Sequence, residues 1–170
     1  MDGFDFVEFP GPDPQAMADM FVAMGFTHLA THKSKPVRRY AQGDANFLLN
    51  MDTVGQAAEF RNAHGPSANA MAFRVADAGK ALAEALKRGA KQIVGPVGPM
   101  ELNIPAIEGI GGSNLYLVDR YGAHEIYDVD FLAEPGAVRD SNSVGLHTLD
   151  HLTHNVGRGL SPWRQYCAHA

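Results

Sequence analysis

The feature of this sequence that most restricts its fold is an internal repeat of secondary-structure signals. Gly25 and Gly89 each end a stretch in which apolar residues have helical spacing. Each stretch is preceded by one predicted strand and followed by three more. The repeat length is roughly 65 residues. Two strand–helix–strand–strand–strand units predict an α+β fold with a mainly antiparallel sheet, which we expect to close into a barrel-like cup.

The first unit contains clear local signals for each element. Residues 3–9 alternate as in a strand, and Asp13-Pro14 is typical of a helix cap followed by the first turn. The next apolar residues fall at helical i, i+3, i+4 and i+7 spacing: Met17, Met20, Phe21 and Met24. Strands are then predicted over residues 26–31, 37–41 and 45–51, and Gly43-Asp44 forms the turn between the last two.

The second unit repeats this order, and a third begins after it. Asp77 caps a predicted helix between a strand at 69–75 and strands at 92–94, about 102–107 and 115–118, with a further strand at 125–131. We therefore expect a paired domain over residues 1–135 and a linker over 136–145. Residues 146–170 read as the start of a third unit, with a strand at 146–156, that is cut off at Ala170.

Composition and charge exclude several classes of function. The chain has 14 Lys and Arg residues against 19 Asp and Glu, and a formal net charge of −5. This balance argues against nucleic-acid or membrane-surface partners, since both need a basic patch. Cys167 is the single cysteine, and Met1 to Asp5 lack the features of a signal peptide. We expect a cytoplasmic protein.

Histidine spacing gives only a weak indication of a metal site. His28 lies in the predicted strand 26–31 and His32 in the turn that follows it. Positions four apart on a strand are separated by about 13 Å, too far to share one ion. His151 and His154 would share a face on a helix but point to opposite faces of a strand, and their apolar neighbours favour the strand. At most one of the pair is then a ligand at a given site. Gly109–Gly112 lacks the residues of a phosphate loop and reads as a tight turn.

Several longer strings resemble one known family, the bacterial 4-hydroxyphenylpyruvate dioxygenases. They run in order through residues 3–158 without large gaps. The strings are Thr31-His32-Lys33-Ser34-Lys35, Tyr40-Ala41-Gln42-Gly43, His64-Gly65-Pro66-Ser67, Met71-Ala72-Phe73-Arg74-Val75, the run from Gly98 to Ile107, the run from Leu115 to Gly122, Ile126-Tyr127-Asp128-Val129-Asp130-Phe131 and Asp150-His151-Leu152-Thr153-His154-Asn155-Val156.

The resemblance implies a fold of paired βαβββ modules, as in the vicinal-oxygen-chelate (glyoxalase-like) superfamily. It also implies an Fe(II) enzyme of tyrosine catabolism that converts 4-hydroxyphenylpyruvate and O₂ to homogentisate and CO₂. Iron in this family is held by two His and one carboxylate, and the first of these ligands matches His151. The resemblance places the other two ligands in a carboxy-terminal domain that this sequence lacks. We therefore expect that this chain alone does not bind iron stably and has no turnover.

Two other interpretations remain open at this point. The chain could act as a non-catalytic binding or oligomerisation module of the same fold, and we expect a homo-oligomer. It could also derive from a hydroxymandelate synthase, because the residues that distinguish this enzyme from the dioxygenase lie in the carboxy-terminal domain of the family.

Overall fold

The first predicted unit is present in the computed structural model, which describes residues 1–11 and 13–153. Its elements are β1 (Phe4–Pro10), α1 (Pro14–Ala23), β2 (Thr27–His32), β3 (Val37–Gln42) and β4 (Ala45–Asn50). Asp13 caps α1 as expected, since its Oδ1 accepts the backbone N–H groups of Gln15 and Ala16 at 3.1 and 3.0 Å. The helix ends before Gly25, whose φ of 91° is favourable for glycine.

The second unit repeats the order with shorter strands. It contains β5 (Ala70–Arg74), α3 (Ala78–Lys87), β6 (Gln92–Ile93), β7 (Ala106–Glu108) and β8 (Asn114–Val118). An additional helix, α2 (Gly55–His64), lies between the two units. The sequence pattern did not predict this helix.

The strands of the described residues belong to one sheet with the order β6-β7-β8-β5-β1-β4-β3-β2-β9, where β9 is Phe131–Ala133. The units join through the antiparallel pair β1–β5, and the first and last strands of each unit run parallel, as in β1–β4 and β5–β8. The remaining pairs are antiparallel, so the sheet is mainly antiparallel as predicted.

The expected closure into a barrel is not confirmed. In the described part of the chain, the edge strands β6 and β9 do not pair with each other, and the sheet stays open. These strands are only two and three residues long. The segment after β6 contains Pro96, Pro99 and Pro105, which have no backbone N–H and cannot extend a ladder of hydrogen bonds.

Apolar clusters cover both faces of the sheet. On one face, Phe21 of α1 packs against Phe26 and Leu49, and α3 makes a smaller cluster with Val75 and Leu117. The opposite face, called the inner face below, carries a buried cluster. Its members are Phe6, Ala30, Val37, Leu48, Ala72, Val118, Ile126, Tyr127 and Phe131.

Two predicted strands were wrong. Residues 125–131 instead form a single helical turn, α4 (Tyr127–Asp130), that leads into β9, and β9 pairs with β2 of the first unit. Residues 146–153 form neither helix nor strand, and residues 154–156 lie outside the described part of the chain. Within that part, no helix has the length and apolarity to cross a bilayer.

Candidate functional site

His151, the predicted iron ligand, lies on an exposed segment that follows the sheet. Its imidazole is 76% exposed, and its Nδ1 is 2.6 Å from Oδ2 of Asp150. Leu149, two residues earlier, packs against the cluster under α1. This contact places the segment beside the first unit. His154 lies outside the described residues.

The linker before His151 is attached to the turn between β3 and β4. The buried side chain of Gln42 accepts the backbone N–H groups of Val144 at 2.7 Å and Leu146 at 3.2 Å through its Oε1. The same amide donates to the Met24 carbonyl at 3.0 Å. The backbone N–H of Asp44 donates to the His147 carbonyl at 2.7 Å. One buried glutamine therefore joins α1, the hairpin and the linker.

The described residues do not assemble a metal centre. Among residues 1–11 and 13–153, no three His, Cys, Asp or Glu side chains are grouped so that they could hold an ion. His28 stacks on Tyr40 with ring centroids 5.0 Å apart, and Nδ1 of His32 accepts the Ser34 N–H at 3.2 Å. His64 contacts the Gly111 carbonyl at 2.8 Å through its Nε2. These contacts agree with structural roles for the three histidines.

A cavity of about 740 Å³ lies against the inner face of the sheet. This volume lies within the range of about 300–1,000 Å³ that is typical of small-molecule pockets. Its walls come from both units and from the segment between β6 and β7. The apolar and aromatic lining includes Phe6, Leu48, Leu102, Tyr116 and Phe131.

Glu8 is a carboxylate among these apolar walls. It lies two residues after Phe6 on β1 and also lines the cavity. Its Oε1 accepts the Nδ2 groups of Asn50 at 3.0 Å and Asn69 at 2.6 Å. Burial raises the pKa of the Glu8 carboxyl, and the two amide donors oppose this change.

A second set of polar side chains lies beside α4. The Tyr127 hydroxyl donates to Oδ1 of Asp5 at 2.9 Å, and Nε of Arg74 donates to Oδ2 of the same carboxylate at 3.1 Å. The guanidinium carbon of Arg39 lies 3.5 Å from the centroid of the Tyr127 ring. Arg39 also donates to Glu125 at 2.9 Å. Burial, with the Asp5 carboxylate, raises the pKa of Tyr127 well above its ordinary value.

Side-chain contacts bridge the open edges of the sheet at one end of the cavity. Glu101, between β6 and β7, accepts a hydrogen bond from the Ser34 hydroxyl, and the Lys35 ammonium lies 3.1 Å from its Oε2. We call these three residues the clasp. Next to it, the Leu102 N–H donates to Oδ1 of Asp130 at 3.1 Å. The clasp and this hydrogen bond join the two open edges of the sheet, which are not paired strand to strand.

The polar residues of the inner face were not among the residues predicted from the sequence. Alternation on β1 was a signal for one of them, because it places Glu8 on the same face as Phe6. The partners of Glu8 are 42 and 61 residues away, and no spacing in the sequence indicates them.

Comparison with known families gives a match over most of the chain. A family model described as "Hydroxyphenylpyruvate dioxygenase, HPPD, N-terminal" matches residues 1–132. The chain is 53% identical over 161 residues to a 4-hydroxyphenylpyruvate dioxygenase of Pseudomonas aeruginosa, a match that covers 93% of this chain and 45% of that protein. It is 51% identical over 168 residues to a protein of Vibrio vulnificus named hemolysin VllY, covering 95% of this chain and 47% of that protein. The chain thus spans about half the length of the curated relatives it matches.

A solved structure has the same fold over most of the chain. It is described as a xylose isomerase-like TIM barrel/4-hydroxyphenylpyruvate dioxygenase fusion protein. The TM-score is 0.77 at 36% identity, and the match covers 88% of this chain and 24% of the fusion protein. The similarity therefore extends to the arrangement of the strands and helices.

Proposed function

This chain belongs to the family of hydroxyphenylpyruvate dioxygenase amino-terminal domains, and we propose that it acts as the amino-terminal part of a 4-hydroxyphenylpyruvate dioxygenase. The observation that carries the proposal is the family match over residues 1–132, together with the Pseudomonas aeruginosa relative of that name. In this proposal residues 1–135 form the amino-terminal domain, 136–145 the linker and 146–170 the start of the catalytic domain.

The proposed reaction converts 4-hydroxyphenylpyruvate and O₂ to homogentisate and CO₂ at an Fe(II) ion held by two His and one carboxylate. His151 is the proposed ligand from this chain. The described residues alone do not fit such a site, because one exposed imidazole has no companion ligands among them. We therefore propose that the 170-residue chain has no turnover by itself. In the whole enzyme, the linker contacts at Gln42 would fix the approach to His151.

A chimera provides the test of this role. Residues 1–153 of this chain would replace the aligned part of the Pseudomonas aeruginosa relative, so that the rest of that protein supplies its carboxy-terminal half. We expect O₂ uptake with 4-hydroxyphenylpyruvate and Fe(II), formation of homogentisate, and loss of both activity and bound iron in the His151→Ala variant.

The matched control is His147→Ala, which removes an exposed imidazole four residues earlier on the same segment. This variant should keep both iron and activity. A folded chimera whose activity survives His151→Ala would refute the assignment of this ligand. Turnover by the isolated 170-residue chain would refute its proposed inactivity, and a folded but inactive chimera would favour the non-catalytic module.

The hydroxymandelate synthase interpretation has less support, because two Pseudomonas relatives at 53% and 48% identity are 4-hydroxyphenylpyruvate dioxygenases by name. Product analysis of the chimera cannot separate the two enzymes, since the relative's own half would set the product. The product of the complete protein that contains this chain would separate them. A homo-oligomeric state and a cytoplasmic location remain predictions.

A further inference from the structure

The lining of the cavity has an excess of negative charge. It contains the carboxylates of Glu8, Asp52, Glu108 and Asp130, against one ammonium group, that of Lys35. The Lys35 ammonium is already paired with Glu101 in the clasp.

Three of these four carboxylates have no cationic partner among the described residues. Glu108 is paired with Lys91, at 3.4 Å between Nζ and Oε2. In the part of the chain that the structure describes, Glu8, Asp52 and Asp130 form no ion pair. The charge of the cavity wall is therefore suited to a cation and unsuited to an anion.

One oxygen of Glu8 remains available for a ligand. Both hydrogen bonds that fix this side chain, from Asn50 and Asn69, end on Oε1. No described residue donates a hydrogen bond to Oε2. Because Glu8 is only partly buried and lines the cavity, a donor placed in the cavity can reach this carboxyl group. A carboxylate that accepts N–H groups from an ammonium forms a charge-assisted hydrogen bond, which is stronger than a neutral one.

The remaining walls are suited to an apolar body. The aromatic rings of Phe6, Tyr116 and Phe131 line the same space, with Leu48 and Ile104 among the aliphatic residues. Aromatic faces attract organic cations through the ring quadrupole and also bury apolar surface. A cavity of about 740 Å³ has room for a ligand of one or two rings.

We propose that this cavity binds a small organic cation, a primary ammonium on an aromatic body, with the ammonium at Glu8 and the ring between Phe6, Tyr116 and Phe131. The site is separate from the segment that carries His151, and it does not depend on iron or on the proposed reaction.

Binding of such a cation is linked to proton release. Burial raises the pKa of Glu8, with a further contribution from Asp52 and an opposing one from Lys35. Tyr116 on β8 also faces this group; burial raises the pKa of its phenol, and the Glu8 charge contributes. His32 on β2 lines the same cavity, and burial lowers the pKa of its imidazole. An ammonium beside the carboxyl stabilises its ionised form, so binding lowers the pKa of Glu8 and releases the fraction of a proton still bound. Affinity should therefore decrease as the pH falls through the pKa of Glu8.

Calorimetric titration of the 170-residue chain with three matched probes tests the charge preference. The probes are benzylamine, benzyl alcohol and benzoate, which share a ring and differ in charge. Benzylamine should bind about tenfold or more tightly than benzyl alcohol, as expected for a charge-assisted bond in place of a neutral one. Benzoate should not bind measurably. Equal or tighter binding of benzyl alcohol or benzoate, or no saturable binding of benzylamine, would overturn the proposal.

Glu8→Gln tests the position of the ammonium. Glutamine keeps an oxygen for the Asn50 and Asn69 donors, so the fold should persist while the charge is lost. Benzylamine affinity should fall about tenfold or more, whereas Glu59→Gln, an exposed carboxylate outside the cavity, should leave it unchanged. Unchanged benzylamine affinity in Glu8→Gln would place the cation elsewhere and overturn the proposal.

A second measurement needs no variant at Glu8. Titrations of the wild-type chain with benzylamine over a series of pH values, in buffers of different ionisation enthalpy, should show affinity that rises with pH, and proton release to the buffer where the Glu8 carboxyl is partly protonated. Proton uptake, or tighter binding at lower pH, would overturn the proposal even if the Glu8→Gln variant does not fold.

Discussion

The hydrogen bond between Tyr127 and Asp5 is the contact whose removal has the most predictable effect on stability. Tyr127 is 4% exposed and Asp5 is 2% exposed, so water cannot replace either partner. The donor belongs to α4 and the acceptor to β1, 122 residues away along the chain. Loss of the hydroxyl therefore removes a link between β1 and α4.

Tyr127→Phe removes this bond and little else. The ring of residue 127 keeps its place under Arg39 and its contact with Phe131, at 5.4 Å between ring centroids. Asp5 keeps the Arg74 donor on Oδ2 and loses the donor on Oδ1. A hydrogen bond to a charged group contributes about 1.5–3 kcal/mol, so we expect the free energy of unfolding to fall by about 2 kcal/mol. For a chain of this size, this corresponds to a decrease in Tm of about 4–8 °C.

Urea unfolding followed by far-UV circular dichroism measures this change, with the m-value as a check on two-state behaviour. Tyr121→Phe is the matched control, because its partly buried ring lies 5.7 Å from Arg74 and its hydroxyl has no hydrogen bond among the described residues. The control should change stability by less than about 0.5 kcal/mol. If Tyr127→Phe were as stable as this control, the buried hydrogen bond would not have the assigned role.

Two further predictions concern the clasp and the linker. The Ser34 hydroxyl, with other donors, holds the pKa of Glu101 at about 2, below its ordinary value of 4.5. A depressed carboxyl pKa stabilises the fold above about pH 4.5, and this stabilisation is lost as the pH falls towards 2. As the pH falls from about 4.5 towards 2, the urea midpoint of the wild type should therefore decrease more steeply than that of Glu101→Gln. Parallel plots of midpoint against pH for the two proteins would contradict this. In Gly43→Ala, the new Cβ would lie 2.7 Å from the His147 Cα. Hydrogen exchange of residues 143–147 should therefore increase in this variant. Gly89→Ala is the control, because Gly89 is also at positive φ but has open space around the new Cβ; this variant should cost only about 1 kcal/mol of strain and leave the exchange of residues 143–147 unchanged. Equal linker protection in both variants would refute the steric argument.

The two units of the sheet differ in the length of their strands. The first unit has strands of six or seven residues, whereas β6 and β7 of the second unit have two and three. The segment between them, which reaches β8 through the Pro105 carbonyl, supplies Glu101 to the clasp and Leu102 to the inner cluster. At this end of the cavity the edges of the sheet are therefore joined by side-chain contacts, which are easier to open than a ladder of hydrogen bonds.

The sequence alone determined the elements that depend on neighbouring residues. The Asp13 cap, the apolar spacing of α1 and the glycine at its end are all local, and the structure has the helix where they predict it. The repeat of the same order around Asp77 gave the second unit and hence the paired modules. Family strings added what spacing could not, including the prediction, still untested, that His151 is a metal ligand.

Only the tertiary structure decided the features that depend on distant partners. The helix α2 has no side-chain cap at Val54, so its start carries no strong local signal. Residues 125–131 read as a strand, but they form a helical turn whose Tyr127 and Asp130 bind Asp5 and Leu102. The polar contacts of the inner face also depend on distant partners. Glu8 obtains its amide partners, Asn50 and Asn69, and its raised pKa only when the sheet has formed, because burial and long-range hydrogen bonding are properties of the folded chain.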